Sequence, residues 1–148
     1  IMMTKKYKIN RYINLSSFAK YTMKLSYYIK YWAPVIIYII FIYYLSSLSN
    51  PLETIIPKED LVYFDFPHFI YHIIEYLILS LLLYRALRIT TKNPQTSAIL
   101  ITILYAITDE IHQFYVPGRN SSVFDLAIDA FGAIAMQCII NVYNYLKN

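Results

Sequence analysis

Residues that break, bend or cross-link a chain are scarce in this sequence. Of 148 residues, two are glycine and one is cysteine. With Cys138 alone, an internal disulfide is excluded, and nothing suggests a metal–thiolate site. Charge is scarce as well. Asp, Glu, Lys and Arg make up 15% of the chain against 58% hydrophobic residues, with a mean hydropathy of +0.43. That balance is too apolar for an ordinary water-soluble domain. Internal repeats are absent, and an aromatic content of 18%, including seventeen tyrosines, argues against a disordered chain. The solvent these numbers point to is a lipid bilayer.

A helix crosses a bilayer with about 20 mostly apolar residues. Four stretches meet that need. Trp32–Leu48 carries no charge, and Pro34 falls in its first turn, where a missing N–H does little harm. Phe66–Tyr84 follows, then Ala98–Tyr115, which turns polar at its far end, then Val123–Tyr145. Pro117-Gly118 marks the tight turn between the last two. The expected fold is therefore an all-α membrane protein, a four-helix transmembrane bundle spanning residues 31–148. Residues 1–30 form either a basic N-terminal arm or an interfacial helix.

Basic residues test this topology independently. Lys5, Lys6, Lys8, Arg11, Lys20, Lys24 and Lys30 precede the first span, and only Lys58 lies in the loop after it, among Glu53, Glu59, Asp60 and Asp65. Arg85, Arg88 and Lys92 follow the second span, Arg119 alone the third, and Lys147 the fourth. This rich–poor alternation puts both termini in the cytoplasm of a cell with its protein in the cytoplasmic membrane. It also makes the net charge of +4 an orientation signal, so no nucleic-acid partner is expected. Membrane lipids are the expected surroundings, and the oligomeric state is open.

Against this background, "TDEIHQFYVPGRNSSVFDLAIDAFG" is out of place. Asp109, Glu110, His112, Arg119, Asp125 and Asp129 fall within twenty-one positions. If the third helix left the membrane at Thr108, only ten apolar residues from Ala98 would remain, too few to cross. The acidic turn is therefore expected at membrane depth, facing the interior, because a charge facing lipid costs several kcal/mol. Asp109, His112 and Gln113 share one side of that helix, with Glu110 adjoining. In the second span, His72 and Glu75 share a face with His68. In the fourth, Asp125 and Asp129 lie one turn apart. Asp125 gains from the helix dipole, with Ser121 or Ser122 as the expected N-cap. Gly132, Ala133 and Ala135 allow a neighbouring helix to approach closely. Each of these polar residues also has a plain structural reading, as an interhelical hydrogen-bond partner.

The run from Asp109 resembles the C-terminal signature of VanZ-like membrane proteins, D/E-E-x-x-Q-x-x-x-P-G-R followed by D-x-x-x-D/N-x-x-G. "HIIEYLIL" is similar to the family's second-span segment, with His72, Glu75 and Tyr76 in the corresponding places. The resemblance covers roughly Phe66–Met136. His68 and Phe69 stand where the family commonly has an Asp-Lys pair, and Met136 or a neighbour replaces a second small residue. The resemblance implies a small polytopic membrane protein of about four spans, in a family named for an accessory factor of teicoplanin resistance. It locates a site at His72, Glu75, Glu110, Gln113, Arg119, Asp125 and Asp129 without supplying a reaction.

Three functions compete on these residues. A non-enzymatic envelope factor would bind an anionic lipid-linked or cell-wall precursor through Arg119, Gln113, Glu75 and Asp125, since the guanidinium fork suits phosphate or carboxylate. An intramembrane enzyme would use Glu110 or Asp129 as base and His72 or His112 as acid. Metal assistance is conceivable, but no HExxH or comparable spacing is present, so no metal and no cofactor is expected. A transporter fits least, for no pair of broken helices is visible.

Overall fold

A computed structural model describes residues 25–49, 68–119 and 121–147. The expected N-terminal arm up to residue 24 and the acidic loop between the first two spans lie outside the described residues. Those described form four α-helices and no strand: α1 Leu25–Ser46, α2 His68–Leu87, α3 Pro94–Phe114 and α4 Val123–Lys147. The protein is an all-α membrane protein, and α1, α2 and α4 are each long and apolar enough to cross a bilayer. α1 starts earlier than its apolar run suggests, because "LSYYIKY" continues a helix that hydropathy alone would not extend. α2 and α4 each run two or three residues past their expected ends.

Local signals set the helix ends. Pro94 opens α3 at a position where its missing N–H is harmless. At α4 the cap is Ser122, whose Oγ accepts the Phe124 N–H at 3.0 Å. Between them Gly118 sits at φ +82°, a left-handed turn conformation that suits glycine.

Helices α2 and α4 pack most intimately. Gly132 faces the backbone of α2, and a Cβ there would lie 2.6 Å from the Ile73 carbonyl oxygen. A polar clasp holds the same pair further along. Ser80 Oγ donates to the Ala133 carbonyl at 3.0 Å, and Gln137 Nε2 donates to Ser80 Oγ at 2.7 Å. Lipid offers no hydrophobic drive to bring helices together, so close approach and interhelical hydrogen bonds must supply it. Helix α1 is held differently, by tyrosines reaching backbone carbonyls. Tyr27 donates to Ala86, Tyr38 to Glu75, and Tyr105 of α3 to Ile39. These contacts run α1 antiparallel to α2 and bring the C-terminal ends of α1 and α3 together.

Helix α3 is two-faced along its whole length. Ala98, Thr102, Ala106, Asp109, Glu110 and Gln113 are buried, whereas Leu100, Leu104, Ile107 and Ile111 are exposed. Its large aliphatic side chains face outward, and its small residues and acidic turn face the other helices.

Replacing Gly132 by alanine should destabilise the bundle by about 1–3 kcal/mol, because the obstacle is backbone rather than a movable side chain. Thermal melting in detergent micelles would show this as a lowered midpoint.

Candidate functional site

The acidic turn of α3 is buried among the other three helices, and its side chains divide between two adjoining networks. The first is centred on Asp109, 4% exposed. Its Oδ1 accepts from Ser46 Oγ at 2.5 Å, and its Oδ2 accepts from Tyr76 OH at 3.1 Å and Gln113 Nε2 at 2.9 Å. One carboxylate thus ties α1, α2 and α3 together with three donors. With its acceptor capacity so largely taken up, it is a structural clip. Ser46 and Tyr76 were not foreseen in this role; the faint signals were a serine ending an apolar run and a tyrosine next to Glu75.

The second network holds His72, Glu110 and Asp129, one residue from each of α2, α3 and α4. His72 Nδ1 and Asp129 Oδ1 are hydrogen-bonded at 2.8 Å, with Asp129 fully buried and His72 5% exposed. Glu110 Oε2 accepts the Ser122 N–H at 2.9 Å, which fixes the carboxylate against the start of α4. His72, Glu110 and Asp129 each place a potential metal-ligating atom within 4.8 Å of the other two. Glu110 Oε1 and Asp129 Oδ2 are buried and find no hydrogen-bond partner among the described residues. A buried acceptor left bare costs about 1–3 kcal/mol, so the two bare oxygens are a feature to be explained.

The remaining site candidates surround these networks. Glu75 is close enough to Asp109, His72, Asp129 and Arg119 for their charges to act on its carboxylate, and its Oε1 is buried without a partner. Asp125 acts electrostatically on His72, Glu110 and Asp129. Gln113 serves the Asp109 clip. His112 points elsewhere, with its Nε2 2.9 Å from Ser47 Oγ and its ring 4.4 Å from that of Tyr43, at the α1 side of the bundle. Of His68 only its place at the start of α2 is described.

Arg119 leaves the α3–α4 turn half-buried. Its Nη2 donates to the Leu45 carbonyl at 3.1 Å, and its Nε is buried without an acceptor. No described carboxylate is seen to pair with the guanidinium. A second anchor secures the same turn, since Ser49 Oγ donates to the Pro117 carbonyl at 2.8 Å.

A comparison with known families completes the picture, for the VanZ/LLP1 family model matches residues 3–144. The chain belongs to the VanZ/LLP1 family. That match reaches well beyond the Phe66–Met136 region carrying the visible motifs and takes in α1 and most of the chain before it. No curated protein and no solved structure matches the chain. Within this VanZ/LLP1 protein, the family-like residues His72, Glu110 and Asp129 meet, while Gln113 joins the separate Asp109 network.

Two substitutions separate the clip from its neighbours. Asp109→Ala strands three donors in the interior and should cost about 3 kcal/mol or more. His112→Ala removes a ring contact and one exposed hydrogen bond and should cost about 1 kcal/mol or less. Denaturant unfolding in micelles would rank the pair.

Proposed function

We propose that this VanZ/LLP1 protein crosses the cytoplasmic membrane four times, with both termini inside, and binds an anionic lipid-linked or cell-wall component at the outer end of the bundle. The four-span reading is supported by the length and pattern of α3. Its 21 residues extend about 31 Å at a rise of about 1.5 Å each, which suffices for a bilayer core of about 30 Å. Its exposed leucines and isoleucines continue past Glu110 as far as Ile111. The orientation rests on the basic residues, rich before α1 and after α2, poor at the Arg119 turn.

For the ligand, one observation carries the reading. Arg119 is a half-buried cation with a buried Nε that no described protein group satisfies, at the end of the bundle where α1, α3 and α4 meet. A guanidinium so placed suits a phosphate or carboxylate held through two parallel N–H bonds. Such a role in envelope resistance, teicoplanin resistance included, follows from the family resemblance and joins the proposal on that footing.

A second reading, intramembrane acid–base chemistry, is favoured by the His72–Asp129 pair. An imidazole oriented by a buried carboxylate is the arrangement a general base requires, and Glu110 stands beside it. Glu110→Gln separates the two: a binding protein keeps its ligand, whereas an enzyme loses turnover.

Two measurements check the proposal. Native mass spectrometry with the host's lipids should find a retained anionic species that Arg119→Ala releases and that Arg119→Lys holds about tenfold more weakly; equal retention by all three proteins would remove the anion clamp. For topology, Cys138 is replaced by serine and single cysteines are placed by Ser121→Cys and Thr91→Cys. A membrane-impermeant maleimide should label the first in intact cells and the second only after permeabilisation.

A further inference from the structure

The interior niche holds far more acid than base. Five of the nine side-chain carboxyls in the sequence, those of Glu75, Asp109, Glu110, Asp125 and Asp129, act on one another or on His72 there, and among the described residues Arg119 is a permanent cation acting on Glu75. Asp109 is satisfied by its three donors. Glu110 and Asp129 are not. Each has one oxygen engaged and the other buried and bare, with the residues 8% and 0% exposed. An uncompensated carboxylate in such a place is costly, and a cation is the direct remedy.

We infer that His72, Glu110 and Asp129 form a binding site for a single divalent transition-type cation such as Zn²⁺ or Mn²⁺, one ligand from each of α2, α3 and α4. One ligand atom from each residue already lies within 4.8 Å of the other two. Metal–ligand bonds of about 2.0–2.2 Å put donor atoms about 3–3.5 Å apart, so side-chain rotations of about an ångström or somewhat more complete the set. The donor chemistry selects the ion. One imidazole with two carboxylates suits Zn²⁺ or Mn²⁺, whereas Ca²⁺ takes six to eight oxygens and Mg²⁺ holds its waters. The His72–Asp129 hydrogen bond holds two of the three residues side by side, the Ser122 N–H holds Glu110 by one oxygen, and Asp129 Oδ2 and Glu110 Oε1 remain bare. Three protein ligands leave a coordination position open. The sequence hides this site because its ligands lie 38 and 19 residues apart and match no spacing motif. Its existence is independent of any anion at Arg119.

Equilibrium dialysis with elemental analysis of the purified full chain in micelles tests this. One Zn²⁺ per chain is expected, with a raised melting temperature and, with Co²⁺ as probe, a visible absorption band from a nitrogen–oxygen ligand set. Mg²⁺ at the same concentration should do neither. Glu110→Gln and His72→Gln should each weaken Zn²⁺ binding at least tenfold, while His112→Gln, which alters a histidine outside the triad, should leave it unchanged. Folded wild-type protein that binds no Zn²⁺ and melts at the same temperature with and without it would overturn the site. So would Zn²⁺ lost through His112→Gln but kept in the other two. If a triad variant fails to fold, the wild type still decides, because a Co²⁺ complex lacking any nitrogen ligand would exclude His72.

Discussion

A carboxylate facing hydrocarbon costs several kcal/mol, and α2, α3 and α4 each carry at least one near the same end of the bundle. Almost everything distinctive about the fold follows from how that cost is avoided. α3 turns its Leu and Ile stripe outward and its acids inward. α4 closes on α2 at Gly132, with no room for a Cβ, and so carries Asp129 into hydrogen-bond range of His72. α1 bends no acid of its own into the site but lends Ser46 to the Asp109 clip. The interior at this end is polar by necessity, and its polarity makes it a place where ligands can be held.

The two networks solve the same problem in opposite ways. Asp109 is fully answered by protein donors, so it contributes rigidity and offers little to a ligand. Glu110 and Asp129 are each half answered, with one oxygen engaged and the other buried and bare. Rigid support beside an incompletely satisfied group is the usual arrangement of a binding site. On the proposed reading, the Asp109 clip is the support and the His72–Glu110–Asp129 set the site.

How far the sequence disclosed this can be argued residue by residue. The helices were legible because apolar runs of about 20 residues have few alternatives, and the inward face of α3 followed from the cost of exposing Asp109 and Glu110. The α4 cap was legible from local chemistry to within two residues, Ser121 or Ser122, and Ser122 fills it. Pairings across the bundle were not. His72 meets Asp129 across 57 positions, and helical periodicity fixes a face but not the partner opposite it. His112 shows the limit well. It lies on the same side of α3 as Asp109, yet the extra three residues rotate and raise it towards Tyr43 of α1 and Ser47 just beyond that helix. The start of α1 was missed because lysine and tyrosine near a membrane surface dilute the hydropathy signal without weakening the helix.

The uneven distribution of polarity also bears on how the chain is made. α1 is apolar and only 11% of its apolar window is buried by the rest of the protein, against 39% for α2 and for α4, so it can rest in lipid unaided. α3 cannot. Each acid near a helix centre opposes insertion by up to about 2.5–3.5 kcal/mol, and α3 shields its own only after Ser46, Tyr76 and Ser122 arrive from three other segments. With α3 as the proposed third span, its acids are covered only once α4 has been synthesised, and entry of the last two helices becomes a joint event at the insertion machinery.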